Sequence, residues 1–546
     1  MKGSDLFVKC LENEGVEYIF GVPGEEVLDL LDSLSRSKIM FIVTRHEHGA
    51  AFIANVYGRL SHRPGVCLST LGPGATNLIT GVADAYLDSA PVVAITGQAA
   101  QEKTHKEAHQ YIDVVGSFEH VTNWNTTIKR ADFIPEIVRK AFDIAADVPG
   151  AVHIELPEDV AEEETSKVPL QKKGKGHIST AGDEELKKVA AFIKNASMPI
   201  ILAGNGILRE EASPELFEFV NKTGIQVATT FMGKGVIPAG SEFYLGSVGI
   251  QEKDYVICGI DVADLVICIG FDHVEYSPRF WNPDSLKKIV HIHSSHPEVD
   301  SSYIPEFTLI GSIKETLQRM TIFCDFKKEI PQYFRKLKNI MEDELESFRD
   351  DTAFPMKPQK ILYDIRNCIS GEGILISDVG AHKLWIGRLF PANEPNTVII
   401  SNGLASMGFA LPGAIAANLV LPGRKVVVAT GDGGFMMNLQ ELETAKRLGC
   451  NFVVVIFDDS GYGSIDWKAR IKFKKSFGTQ FSNPDFVKLA ESFGAKGVKI
   501  ERAEDFASGL KDALESGGIW IFDVEVDYSE NMKLTRKLGM DVCRFS

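Results

Sequence analysis

One stretch, Val426 to Tyr462, constrains this chain more than any other. Val426-Val427-Val428 runs into Gly431-Asp432-Gly433-Gly434, after which Leu439, Leu442 and Ala445 fall on one face of a helix. Phe452 to Phe457 is a second apolar run, closed by Asp458-Asp459-Ser460-Gly461. Strand, glycine loop, helix and strand make one βαβ unit, which implies a parallel sheet covered by helices. Both loops then lie at the carboxyl ends of their strands, where ligands bind in such sheets. Asp459 follows Asp432 by 27 residues, the length of one such unit, so the two carboxylates can face one another. Two hard oxygen ligands beside a glycine loop and a helix N-terminus suit a Mg²⁺-bound diphosphate. A turn that binds nothing is the alternative, since a glycine loop alone is weak evidence.

The rest of the chain repeats the same alternation. Residues 1–165 alternate helices with short apolar strands at Tyr18-Ile19-Phe20, Ile39 to Val43, Gly65 to Ser69, Val92 to Thr96 and Ala151 to Leu156. Pro157 to Gly182 is polar and glycine-bearing and reads as a linker. A second α/β unit over 183–325 has strands at Ile200 to Ala203, Ile225 to Thr229, Leu265 to Ile269 and Ile289 to Ile292. A charged, partly helical stretch from Lys327 to Pro358 leads into a third unit over 358–530, and the tail after Tyr528 is polar. The expected architecture is α/β, with three doubly wound parallel-sheet domains. A chain of 546 residues is long enough for three such cores.

Charge and cysteines narrow the setting. With a net charge of −16 and no long basic run, neither nucleic acid nor an anionic membrane is an expected partner. No apolar run reaches membrane-spanning length, and the start, MKGSDLFVKCLENEG, reads as an amphipathic helix rather than a signal peptide. The eight cysteines are scattered without metal-type spacing, which points to a reducing cytoplasm. His291, His293 and His296 read as a strand edge and turn rather than a metal site.

Several segments together resemble one family. Arg45-His46-Glu47-His48-Gly49-Ala50, Ser69 to Asn77 with its Gly72-Pro73-Gly74-Ala75-Thr76-Asn77 run, Asp378-Val379-Gly380-Ala381-His382 through Trp385, Ser401 to Gly408, and the Asp432/Asp459 pair resemble the thiamine-diphosphate enzymes of the acetolactate synthase type. The resemblance covers nearly the whole chain, from Tyr18-Ile19-Phe20-Gly21 to Val526-Asp527-Tyr528. It implies an aminopyrimidine-binding domain, a central domain and a diphosphate-binding domain, with thiamine diphosphate and Mg²⁺ as cofactors. By itself Glu47 reads as a carboxylate favouring a helix N-terminus. The resemblance makes it the group that holds a proton on N1′ of the aminopyrimidine and so activates the cofactor.

The same resemblance implies the remaining roles. Gly24 lies near the thiazolium, and Thr70, Pro73 and Asn77 approach the pyrimidine. Gln110 is an active-site glutamine. Val379, Gly380, Ala381 and His382 surround the diphosphate, the Ala405 carbonyl accepts from the 4′-amino group, and Met407 is the apolar support that bends the cofactor. Gly431, Asp432, Gly433, Gly434, Asp459, Gly461 and Tyr462 form the diphosphate and metal loops, with Asp432, Asp459 and the Gly461 carbonyl on the metal. Trp467 falls one residue early relative to the family's substrate-facing tryptophan, and no role is transferred to it. In the central unit Ala203-Gly204-Asn205-Gly206 is a lone GxG. Biosynthetic relatives carry FAD there with an R-F-D-D-R type segment, whereas this chain has Gly270-Phe271-Asp272-His273-Val274-Glu275, resembling the flavin-independent, catabolic type, so FAD is not expected. The implied reaction is decarboxylation of pyruvate and ligation to a second 2-oxoacid, giving 2-acetolactate. The implied assembly is a homodimer or homotetramer, with room for a regulatory small subunit. Other lyases, acyl-transferases or decarboxylases on this scaffold, and a non-catalytic cofactor-binding protein, are the alternatives.

Overall fold

The computed structural model describes residues 1–171, 180–249 and 255–534. Its backbone forms three six-stranded sheets in which every neighbouring pair is parallel. The first contains β1 (Tyr18–Gly21), β2 (Met40–Val43), β3 (Gly65–Ser69), β4 (Val92–Gln98), β5 (Trp124–Thr127) and β6 (Ala151–Pro157), in the order β2-β1-β3-β4-β6-β5. The second contains β7 (Pro199–Ala203), β8 (Gln226–Thr230), β9 (Tyr244–Val248), β10 (Leu265–Ile269), β11 (Lys288–His293) and β12 (Phe307–Ile310), in the order β12-β11-β10-β7-β8-β9. The third contains β13 (Ile374–Ser377), β14 (Val398–Ile400), β15 (Val426–Gly431), β16 (Phe452–Asp458), β17 (Lys496–Ile500) and β18 (Ile519–Glu525), in the order β14-β13-β15-β16-β18-β17.

Strand order reverses direction between β1 and β3, between β7 and β10, and between β13 and β15; the first and third sheets turn back once more at their far ends, where β6 precedes β5 and β18 precedes β17. At such a point the connections leave toward opposite faces, and a crevice opens beyond the carboxyl ends of the two strands. These three crevices decide where a site can be.

By compactness the chain divides into two units. One comprises Met1–Lys175, Gly403–Gly423 and Phe435–Asn451, and holds the first sheet; the other comprises Gly176–Asn402, Arg424–Gly434 and Phe452–Ser546, and holds the other two. In the first unit the helix Glu47–Ser61 is buried almost all round, through Ala50, Ala51, Phe52, Ile53, Ala54 and Val56. Its length and small residues let it lie between β1, β3 and the equally small-faced helix Ala410–Val420, with Phe52 edge-on to Phe409 at 5.5 Å. In the second unit the central sheet has an apolar core on both faces, and Trp385, Ile386 and Phe457 anchor the core of the third sheet.

Three expectations change. The start of the stretch read as a linker is the helix Glu158–Glu162, with Val160 and Ala161 buried in the core of the first sheet; the later part, 172–179, lies outside the described residues. The single helix expected after the glycine loop is two, Asp432–Asn438 and Glu441–Arg447. The tail read as polar from Tyr528 begins with the 3₁₀ turn Tyr528–Leu534, held where Trp385 Nε1 donates to Asn531 Oδ1 at 2.7 Å; residues 535–546 lie outside the described residues.

Gly65 opens β3 where a Cβ would stand 2.0 Å from the Ala54 carbonyl oxygen, so strand and helix meet at backbone distance. Gly65→Ala is expected to cost about 3 kcal/mol by forcing them apart. A thermal midpoint unchanged from wild type would show that the helix can give way without loss.

Candidate active site

In the first unit, the crevice between β1 and β3 gathers the residues expected to hold the aminopyrimidine. Glu47 is buried at the first position of its helix, and Asn77 Nδ2 donates to its Oε2 at 3.0 Å. A Cβ on Gly74 would stand 3.2 Å from Glu47 Oε1, so this glycine leaves room for the carboxylate. A Cβ on Gly24 would stand 2.3 Å from Thr70 Cβ, which brings the turn after β1 against the loop after β3. Pro73 stands exposed near the start of the helix Gly72–Leu87. Gln110 approaches through its backbone: its φ is +56° and its carbonyl lies where a Gly72 Cβ would be, at 2.3 Å, while the residue is exposed. Ala405 is held in the left-handed region at φ +55°, a costly conformation for a residue with a Cβ, and Met407 beyond it is half-buried.

In the second unit, the crevice between β13 and β15 gathers the diphosphate and metal candidates. Asp432 is buried; Gly433 N donates to its Oδ1 at 2.8 Å, and Asn483 Nδ2 and Gly461 N donate to its Oδ2 at 2.8 and 3.2 Å. Asn483 Nδ2 also donates to Asp458 Oδ1 at 2.9 Å, tying the two acidic loops together. Burial pushes the Asp432 carboxyl up to about 6, with the Asp458 charge adding to it. Burial and then the charge on Asp432 push the Asp459 carboxyl up to about 7. Its carboxylate lies on the backbone of Gly463, where a Cβ would be 2.0 Å from Oδ2. Gly434 gives way in the same manner to Asp378, whose Oδ1 accepts from Val379 N at 2.7 Å. A Cβ on Gly433 would stand 2.9 Å from the Tyr462 ring, which packs edge-on to Phe481 at 5.0 Å.

His382 lies beside Gly380 and Gly431, stacked on Phe457 at 5.4 Å, at the first turn of the helix Ala381–Leu389. Burial holds its imidazole neutral, with its pKa lowered to about 3, and its Nε2 has no partner. A buried, unpaired ring nitrogen and two carboxyls that resist ionising describe a place built for another group. An anionic phosphate with its cation would supply the missing partner and the missing charge.

The central crevice, between β7 and β10, is different. Asn205 N donates to Glu275 Oε1 and Oε2 at 3.0 and 3.2 Å, and Thr230 Oγ1 donates to Oε2. A Cβ on Gly204 would stand 2.3 Å from the Gly270 carbonyl oxygen and one on Gly206 2.7 Å from Gly270 Cα. The glycine turn is thus covered by its own chain. His291 and His293 are tied to Tyr303 and Ser295, and among the described residues no group of three His, Cys, Asp or Glu side chains could hold a metal.

Three family models match the chain: the N-terminal TPP binding domain of thiamine pyrophosphate (thiamine diphosphate) enzymes over residues 1–117, their central domain over 186–320, and their C-terminal TPP binding domain over 378–524. An acetolactate synthase of Bacillus subtilis (strain 168) is 34% identical over 538 residues, spanning 98% of this chain and 94% of that protein. A probable acetolactate synthase large subunit of Methanococcus aeolicus is 35% identical over 562 residues, spanning 98% of this chain and 93% of that protein. A catabolic acetolactate synthase of Raoultella terrigena is 33% identical over 544 residues, spanning 98% and 97%.

The chain belongs to the acetolactate synthase family of thiamine-diphosphate enzymes. Its N- and C-terminal TPP-binding segments contain the two crevices built from Glu47 and from Asp432. Four residues at these crevices escaped the sequence reading: Glu26, whose Oε2 accepts from Thr70 Oγ1 at 2.7 Å, and Asp458, Asn483 and Glu441. Two of them carried a signal: Asp458 lies in the acidic loop Asp458-Asp459-Ser460-Gly461, and Asn483 opens Asn483-Pro484-Asp485-Phe486, within the span of the family resemblance.

The raised carboxyls of Asp432 and Asp459 give a pH test. Each keeps its proton above the usual carboxylate range in the fold, so the cation-free protein is penalised as pH rises from about 4 through 7. Without divalent cation, the thermal midpoint should fall between pH 5.5 and 8, and Asp459→Asn should flatten that fall. The same slope in Asp459→Asn would place the effect elsewhere.

Proposed function

We propose that this protein is an acetolactate synthase that decarboxylates pyruvate and joins the two-carbon unit to a second 2-oxoacid, giving 2-acetolactate. Its relatedness to acetolactate synthases along 98% of its length carries this reading, and the pairing of buried Glu47 with Asn77 supports it. Bound thiamine diphosphate would supply a nucleophilic carbon and an electron sink for loss of CO₂. Glu47 would hold a proton at N1′, oriented by the Asn77 amide. Thr70, Pro73 and Gly24 would line the ring edges, with Gln110 facing substrate; the Ala405 carbonyl would accept from the 4′-amino group, and Met407 would support the bend.

Mg²⁺ would be held by Asp432, Asp459 and the Gly461 carbonyl. His382 Nε2, Val379, Gly380, Ala381, Gly431, Gly433, Gly434 and Tyr462 would surround the diphosphate. Residues 1–165, 183–325 and 358–530 would then be the aminopyrimidine, central and diphosphate domains. The assembly in this reading is a homodimer or homotetramer, and the large-subunit name of the Methanococcus relative raises a small partner subunit as part of it. We further infer that the protein works without FAD, because Glu275 and the Gly270 backbone cover the glycine turn where a dinucleotide would approach.

Purified protein given pyruvate, thiamine diphosphate and Mg²⁺ should yield acetolactate as its main product. Acetaldehyde instead would move the assignment to a decarboxylase, and no turnover would mean that pyruvate is the wrong donor or that a partner subunit is missing. Glu47→Gln should lower turnover by on the order of a hundredfold or more while the cofactor still binds. Turnover at the wild-type rate would remove Glu47 from the chemistry. The purified protein should be colourless, and a stoichiometric flavin spectrum would overturn the FAD inference.

A further inference from the structure

Glu47 stands at the very start of its helix, where backbone N–H groups have no partner within the helix and the chain is most free to fray. In this protein those donors are claimed by a side chain from far along the sequence. Arg45 N and His46 N each donate to Glu441 Oε1 at 3.1 Å, and Arg45 N also reaches Glu441 Oε2 at 3.3 Å. Thr444 Oγ1 donates to Oε2 at 2.6 Å, which fixes the rotation of the carboxylate. Glu441 is fully buried, and the acidic group is retained in that interior by four hydrogen bonds, three of them from backbone that precedes Glu47. The fit is reciprocal: a Cβ on Gly49 would stand 2.6 Å from Glu441 Oε1, so glycine is needed two residues after Glu47 for the carboxylate to enter. His46, the residue before the helix, has its ring acceptor taken by His48 N at 3.1 Å, leaving its own N–H to Glu441.

We infer that Glu441 is a positioning residue for the cofactor-activating glutamate: it clamps the Arg45–His46 backbone so that the Glu47 carboxylate meets Asn77 in the orientation needed to hold the N1′ proton. This rests on the reading that Glu47 activates thiamine diphosphate. Glu441 touches neither cofactor nor substrate in this role; it acts through the backbone. The requirement is for an oxygen acceptor at that depth rather than for a charge, because the Thr444 hydroxyl can turn to accept from an amide.

The test compares Glu441→Gln, Glu441→Leu and Glu441→Asp in the full-length protein. Glu441→Gln keeps an oxygen for the two N–H groups and should retain turnover within about threefold. Glu441→Leu keeps bulk without an acceptor and should lower kcat on the order of a hundredfold, with KM for pyruvate and the affinity for thiamine diphosphate nearly unchanged. Glu441→Asp withdraws the carboxylate by one methylene and should fall between, which keeps the comparison decisive if the leucine variant does not fold. Hydrogen exchange of the cofactor-free protein supplies the second readout: amides 45 and 46 should exchange about tenfold or more faster in the Asp and Leu variants than in wild type and Gln, with the middle of the helix unchanged.

Wild-type kcat in Glu441→Asp, or equal losses in Gln and Asp, would overturn the inference, as would unchanged exchange at 45 and 46. A wild-type protein that fails to bind thiamine diphosphate would sink the functional reading instead, and the exchange comparison would still decide whether the clamp exists.

Discussion

The structure depends on a property of parallel sheets: where strand order reverses, the two flanking connections part and leave a crevice. Each of the three sheets has one such crevice near its middle, and the chain treats the three differently. Between β1 and β3 the crevice holds Glu47, Asn77 and Thr70; between β13 and β15 it holds Asp432 and His382. Between β7 and β10, Glu275 accepts from the Asn205 backbone N–H. One topology thus carries three different sets of groups, and the difference lies in a few side chains rather than in the sheets.

Glycines make this possible by giving up space at chosen atoms. Gly74 yields to Glu47, Gly434 to Asp378, Gly463 to Asp459 and Gly380 to the ring of His382. In each case the room left by the missing Cβ is used by a polar side chain, so the density of glycine in these loops reflects close packing against functional groups. The same crowding brings several carboxyls together in the second unit. Asn483, donating to both Asp432 and Asp458, is the neutral donor that lets acids from two loops lie side by side.

Much of this was legible in the sequence, for physical reasons. Fully buried central strands such as Val426–Gly431 and Phe452–Asp458 are continuous apolar runs, and the glycine loops between strand and helix announce themselves. Edge strands were harder: Trp124–Thr127 is polar and Lys496–Ile500 is interrupted by glycine and lysine, because an edge strand need not be apolar on both faces. The break between Asn438 and Glu441 was invisible because both halves keep apolar residues at helical spacing. Glu26 and Glu441 were missed for another reason. A glutamate in a helix or turn reads as surface, and only the three-dimensional contact with Thr70 or with the Arg45 and His46 amides distinguishes it.

The contact between Arg45 and Glu441 joins residues 396 apart in sequence. During synthesis the first sheet and the Glu47 helix emerge from the ribosome long before Glu441 does, and a contact of such separation closes late because the intervening chain must first be drawn together. Until then the Arg45–His46 backbone has no Glu441 to hold it. A nascent or truncated chain would carry Glu47 without that contact, so the backbone before its helix is set only once the C-terminal part of the chain has folded.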